Sequence, residues 1–423
     1  MKVLLVNTYD VGGAANACIR LHKALLEAGV ESKLLLLKKS KNLPESFEFK
    51  ETSKITNNST SLIAKACRKF KRLLNLKTKL ENESLYRAIR LKGLEGVSFP
   101  QTDFDLTDNI YYKEADVINL HWVAGFIDWP TFFKKNKKPI VWTLHDKNPF
   151  LGGNHYEEIL YGVDENGLPI MRVIDKKELE WENKLLFVKK RALAKLSKPL
   201  VIVSPSEWLK DESEKSPLFK RFKHVTIPNG IVTTIFRLGD QQYARDILHL
   251  PLNKKIILFV SDSVSNNRKG FQFLQNAMKS FSLIDNVFLC AIGRTEIKEK
   301  LKDVLYLGEI KDEKMMSLAY TSADLFVIPS LEDNFPNTVI ESLCCGTPVA
   351  GFSIGGLPEI IQNGFNGFLS EEIGVESLFR LIQQSLNFAF DRKEIAEAAI
   401  TKYNSANQAK NYIEIYNRLN KIA

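Results

Sequence analysis

A chain of 423 residues is longer than one ordinary hydrophobic core fills, so two domains are expected. With 44% hydrophobic and 26% charged residues it is neither a disordered nor a collagen-like chain. Its five cysteines, Cys18, Cys67, Cys290, Cys344 and Cys345, lack metal-ligand spacing and fit a reducing compartment. The net charge of +9 matters mainly through where the charges fall. No apolar run approaches the roughly 20 residues of a membrane span, and MKVLLVNTYD enters a strand without a signal-peptide apolar region, so a cytoplasmic protein is expected.

In chain order, KVLLVN reads as a strand, and Gly12-Gly13 opens a helix that stops at Gly29, followed by the strand SKLLLL. The stretch from Ser40 to Phe104 is the least readable. Within it, Leu62 to Lys77 sets Leu62, Ala66, Phe70, Leu73 and Leu74 on one helical stripe, surrounded by Lys65, Arg68, Lys69, Lys71, Arg72 and Lys77. Such a basic amphipathic helix can pack on the core, lie on an anionic membrane such as the inner face of the plasma membrane, or bind nucleic acid. The last is disfavoured because the aromatic and glycine patterns of nucleic-acid modules are missing. A second basic cluster runs from Lys134 to Lys138. DVINLHW, PIVWTLHD and PLVIVSPS are further strands, and Phe150 to Glu182 reads as a long insertion with little periodicity.

Alternation restarts after VTIPNGIVTTIF. KKIILFVSD, NVFLCAIG, ADLFVIPS, VAGFS and NGFLS are strands, with helices in KGFQFLQNAMKSF and LPEIIQ between them. The boundaries expected are residues 1–235 for a first domain, 236–393 for a second domain, and 394–423 for a helical segment returning to the first.

The stretch EDNFPNTVIESLCCGTPV, Glu332 to Val349, carries the densest chemistry. A strand ends at Pro329-Ser330, an acidic turn follows, Pro336 suits the first turn of a helix running to about Cys345, and Gly346 with Pro348 stops it. Loops at the carboxyl ends of parallel strands bind ligands in open α/β sheets. Backbone N–H groups at that helix start would hold an anion, and Asp333 and Glu341 could accept hydrogen bonds from hydroxyls. An anionic, polyhydroxylated ligand is one reading; two acids that merely cap and solvate a helix are the other. Gly12-Gly13 admits a close backbone approach but lacks the GxGxxG spacing of dinucleotide binding. Arg268 and Lys269 follow another strand and could hold a diphosphate. A second Gly-Gly, Gly355-Gly356, precedes Glu359, which either holds that turn or reaches the ligand.

Together these motifs resemble, over nearly the whole chain, the retaining glycosyltransferases of the GT-B fold, in particular the large family 4 group. That family shows Glu, seven residues and Glu, then a CGTPV-like helix end and a Gly-Gly-Pro-Glu turn; here Asp333 and Glu341 are followed by CCGTPV and GGLPE. DVINLHWVAGF and PIVWTLHDKNPFLGGNHY further resemble bacterial members that build capsule, O-antigen and colanic-acid-type polysaccharides. The resemblance implies an α/β, GT-B architecture of two Rossmann-like parallel-sheet domains facing each other across a cleft. It implies that Glu341 binds the ribose of a nucleotide-diphosphate sugar and Asp333 the hydroxyls of the transferred sugar. Amides of Asn337, Thr338 and Val339 would hold the diphosphate, in a donor-binding loop that includes Phe335. Lys269, assisted by Arg268, would neutralise the leaving phosphate, His145 would contact the sugar near the reacting centre, and Gly12 and Gly13 would admit phosphates or acceptor.

Three departures from the family stand out: Asp333 replaces the commoner Glu, Val264 stands where the arginine usually does, and Pro336 replaces a common glycine. Transfer to a glycan or polyprenyl-linked acceptor with retention, without a metal or other cofactor, is the implied reaction. A sugar-nucleotide epimerase, a phosphorylase, or a non-catalytic sugar-nucleotide or membrane-binding protein remain alternatives. His121 and His155 are evenly balanced between acceptor contact and structure. His22, His224 and His249 are expected at packing or surface positions, and Cys344 and Cys345 to pack a helix.

Overall fold

The six consecutive buried residues of β1 (Lys2–Tyr9) mark a strand covered on both faces, as in a parallel sheet between two helical layers. The computed structural model describes residues 1–50, 79–281, 286–294 and 304–422, so Leu62 to Lys77 lie outside the described residues. After β1 come β2 (Glu31–Lys38), β3 (Ser46–Glu48), β4 (Val117–Leu120), β5 (Ile140–Thr143), β6 (Leu160–Val163), β7 (Pro169–Met171), β8 (Leu200–Ser204) and β9 (Lys223–Thr226). Among the described residues, seven of these form a parallel sheet in the order β3-β2-β1-β4-β5-β8-β9. Leu4 and Val6 face a core containing Ile118 and Trp142, while Val3 and Leu5 face another with Cys18 and Leu25, as the two-residue strand period requires.

The second sheet is built from β10 (Lys255–Ser263), β11 (Val287–Arg294), β12 (Val304–Gly308), β13 (Leu325–Ile328), β14 (Val349–Phe352) and β15 (Gly367–Ser370). These are parallel in the order β12-β11-β10-β13-β14-β15. The last helix, Ser405–Ile422, packs against Gly13–Glu27 of the first domain. Ala409, Tyr412, Ile415, Tyr416 and Leu419 enter the first domain's core, where Tyr416 Oη accepts from Asn119 Nδ2 at 2.7 Å. The chain thus crosses between domains near Ile231 and again near Tyr403, which meet through an Ile231 N–H donating to the Tyr403 carbonyl at 2.7 Å.

The insertion is more ordered than its weak periodicity suggests. It contains the antiparallel hairpin β6–β7 and the start of a helix, Lys176–Leu193, capped by Asp175. Its pattern is obscured because the hairpin buries its apolar residues on the other domain: Leu160 and Val163 pack against the core that holds Phe271 and Leu378, and the Gly167 carbonyl accepts from Val375 N at 2.8 Å. Periodicity reports a segment's contact with its own sheet and is blind to this docking.

Candidate active site

The carboxyl ends of the two sheets face one cavity of about 900 Å³, to which both domains contribute. On the second domain, Asn266 caps a single 3₁₀ turn, Asn267–Lys269, and Gly270 follows at φ 69°. A Cβ there would lie 1.8 Å from the Pro329 carbonyl oxygen, so a glycine is what lets this turn press against the acidic loop. Lys269 Nζ consequently reaches Asp333 Oδ2 at 2.6 Å. Burial raises the Asp333 pKa, but Lys269 and Arg268 outweigh it and hold the carboxyl below its ordinary value, leaving an anion.

Gly355-Gly356 forms the other wall of that loop. Gly355 has φ 55°, and a Cβ on it would stand 1.8 Å from the Asp333 carbonyl oxygen. Glu359 does not line the cleft, and its backbone N–H donates to the Gly356 carbonyl at 3.2 Å, bracing this turn. Its carboxylate accepts from Glu207 N at 2.8 Å and Trp208 N at 2.7 Å, capping a first-domain helix, Glu207–Lys215.

Arg268 is buried and already engaged. It donates to Glu95 Oε1 through Nη2 at 2.8 Å and Nε at 3.0 Å, and to the Glu332 carbonyl through Nη1 at 2.7 Å. Its guanidinium also lies 3.8 Å from the Tyr156 ring centroid. Of the paired cations, Lys269 is the more available: its side chain is 20% exposed, against 6% for Arg268.

The helix after the acidic loop spans Asn337–Cys344, with Pro336 at its N-cap rather than in its first turn. Pro336 thereby presents a carbonyl that takes the Val339 N–H at 3.1 Å, and the Val339 side chain is fully buried. Val339 therefore contributes no free amide to the cleft; Asn337 and Thr338 line it. The Phe335 ring, 7% exposed, borders the cleft and packs 6.0 Å from Tyr403. Asn337 bridges domains, donating to the Gly13 carbonyl at 2.9 Å and accepting from Asn229 at 3.0 Å. A Cβ at Gly12 or Gly13 would meet no atom within 4 Å, so no protein neighbour crowds this turn, and both residues line the cleft.

Glu341 is buried, with Oε1 accepting from Arg20 Nη2 at 2.7 Å and Oε2 from Tyr320 at 2.9 Å. Burial raises its pKa above the ordinary value, with Arg20 opposing. Arg20 also binds Glu313 at 2.6 Å and rests 5.2 Å over the Phe236 ring. Across the cleft, His145 sits with Nε2 3.0 Å from His121 Nδ1, the two rings stacked. Burial pushes the His145 pKa down to about 4, so its ring is neutral. His155 holds Asp146 at 2.6 Å and stacks on Trp122, while His22 and His224 bond to neighbouring serines and backbone carbonyls. Cys344 and Cys345 are buried in the second core.

Asp333, Lys269, Glu341, Asn337, Thr338, Phe335, Gly12, Gly13, His145 and Arg268 thus all border one cavity. Sequence reading missed Arg20, Glu95 and Tyr156. Arg20 carried one legible signal: it sits between Ala17 and Ala24 on the buried stripe of Gly13–Glu27, where an unpaired charge would be costly. Glu95 lies in an irregular segment and offered none.

The two facing parallel sheets have the architecture of GT-B glycosyltransferases. A sucrose-phosphate synthase from Thermosynechococcus elongatus superposes with TM-score 0.68 at 17% identity, covering 100% of both chains. HepE from Anabaena, in complex with UDP and glucose, gives 0.63 at 14%, covering 98% of this chain and 99% of that one. Residues 254–387, which hold Lys269, Asp333 and Glu341, match the family model of glycosyl transferases group 1. An uncharacterized glycosyltransferase of Methanocaldococcus jannaschii is 30% identical over 178 residues, 39% of this chain and 45% of that protein. The chain spans about half the length of the curated relatives it matches.

Proposed function

We propose that this protein is a retaining glycosyltransferase that moves a sugar from a nucleotide-diphosphate sugar to a glycan or lipid-linked acceptor in bacterial surface polysaccharide synthesis. The observation that carries the reading is the convergence of Lys269–Asp333 and Glu341 from one domain with Gly12-Gly13 and His145 from the other on a single cleft. Glu341, oriented by Arg20 and Tyr320, keeps lone pairs for the ribose hydroxyls. Asp333, kept ionised, accepts from sugar hydroxyls, and neutral His145 offers a ring nitrogen without adding charge.

Departure of the diphosphate builds negative charge. Lys269 and the Asn337 and Thr338 amides are positioned to meet it without reorganising, in place of a metal. The departing phosphate takes the acceptor hydroxyl's proton, so no separate protein base is assigned. The basic stretch Leu62–Lys77, outside the described residues, is proposed from its amphipathic sequence pattern to hold the enzyme on the inner membrane face; among the described residues no helix is long and apolar enough to cross a membrane. Incubating UDP- and GDP-sugars with lipid-linked acceptors and reading the product's anomeric configuration by NMR tests this. A retained α-anomer from an α-linked donor supports it; phosphate-dependent sugar-phosphate release or acceptor-free epimerisation replaces it.

A further inference from the structure

The first domain's half of the cleft carries a feature that the donor chemistry does not use. Trp122 is half-buried on the cleft wall, and its plane is fixed from several sides. Its Nε1 donates to Asp146 Oδ2 at 2.7 Å, its backbone N–H donates to Asn7 at 2.8 Å, and His155 stacks on it at 5.2 Å and 20°. Tyr9, 38% exposed, leans on it at 5.8 Å and 37°, extending the aromatic surface along the cleft, with Lys38 Nζ 5.8 Å from its ring centroid. Asp146 is the next residue after His145, so this wall begins beside the proposed reacting centre. A large aromatic surface that is held rigid and left in contact with an open cavity is suited to the apolar face of a sugar ring, because little side-chain entropy remains to be lost on binding.

Two lysines line the same cleft, Lys23 on the helix Gly13–Glu27 and Lys41 on the loop after β2. Among the described residues neither is ion-paired with a carboxylate. The nearby acid, Asp10, is occupied: it accepts from Ser40 N, Ser40 Oγ and Lys41 N at 2.5 to 2.7 Å, which fixes the loop carrying Lys41. His22 Nε2 against the Pro44 carbonyl, at 2.9 Å, ties that loop to the helix carrying Lys23. A half-buried lysine on this braced loop and a second on the adjoining helix, separate from Lys269, suit an anion on the ligand.

We propose that Tyr9 and Trp122 form the acceptor subsite, and that the acceptor is an anionic glycan whose sugar ring lies on this wall while Lys23 and Lys41 hold its negative group. That group is a diphosphate joining the sugar to a lipid or the carboxylate of a uronic acid; the shared chemistry is a sugar ring with an anion one residue or less away. The assignment rests on the glycosyltransferase reading above.

Calorimetric titration tests it with three probes, farnesyl-diphosphate-linked N-acetylglucosamine, a glucuronic-acid-terminated disaccharide and neutral methyl glucoside, alongside UDP and GDP. On the parent protein one anionic probe binds about tenfold or more tighter than the neutral one, and which one identifies the anion. Trp122→Ala and Tyr9→Ala each weaken that probe, about tenfold for Trp122, whereas Trp122→Phe stays within about threefold. Lys23→Gln with Lys41→Gln brings the anionic probe down to the neutral one. Nucleoside diphosphate affinity is unchanged throughout. The proposal is overturned if no anionic probe binds, if neutral and anionic probes bind alike, if folded Tyr9→Ala and Trp122→Phe,Tyr9→Ala proteins bind like the parent, or if the lysine pair weakens the nucleotide instead. Failure of the functional reading looks different: neither nucleotide binds the parent, whatever the sugar probes do.

Discussion

Arg20 and Glu341 meet at 2.7 Å across the two domains, both nearly excluded from solvent, and this pair orients the carboxylate proposed to hold the ribose. Removing one member of such a pair leaves the other charge uncompensated, at a cost of about 3–5 kcal/mol. Arg20→Gln should therefore lower thermal stability markedly and weaken donor binding.

The loss should also depend on pH. The Glu341 pKa already lies above its ordinary value, and without Arg20 it rises further. A raised carboxyl pKa means that the folded state binds its proton more tightly than the unfolded state, so stability is gained at low pH and lost as pH rises through the folded pKa. The deficit of Arg20→Gln should be larger at pH 8 than at pH 5.5. Melting curves at both values check this; equal deficits contradict it.

Lys269→Ala should reduce the catalytic rate by about two orders of magnitude or more while the protein stays folded, since one preorganised electrostatic contact is worth a few kcal/mol of barrier. Arg268→Ala should reveal itself first in stability, because it leaves the Glu95 carboxylate with only the Asn266 amide and frees the ring of Tyr156. Comparing single-turnover transfer rates with melting temperatures separates the two. A Lys269→Ala enzyme at parental rate places the diphosphate elsewhere.

Gly355→Ala forces a left-handed residue to carry a Cβ that would collide with the Asp333 carbonyl. The acidic loop must move, so transfer should fall at least about tenfold, with a stability loss of roughly 1–3 kcal/mol. Gly364→Ala, also at positive φ but with no atom within 4 Å of its Cβ, should show only the backbone strain. If both variants transfer sugar equally, the turn does not shape the site.

The two parallel sheets are legible in strand alternation, because buried parallel strands are continuous apolar runs. The order of Lys269, Asp333 and Glu341 marks one side of the cleft, since Lys269 and Asp333 sit at turns that a glycine or proline announces and Glu341 lies on the helix that Pro336 opens. Arg20, Glu95 and the docking of β6–β7 are long-range relationships, and no local period records which distant surface a side chain meets. The Val339 amide is a related case: helix position alone does not reveal that the Pro336 carbonyl takes its N–H.

The central claim is that a nucleotide-diphosphate sugar binds between Glu341, Asp333 and Lys269, and direct titration of UDP- and GDP-sugars into the parent protein and Glu341→Ala tests it most directly. Saturable binding of at least one donor to the parent, weakened about tenfold or more in a folded Glu341→Ala protein, is the predicted result. No binding of any donor to the parent, or equal affinity in both proteins, would contradict it.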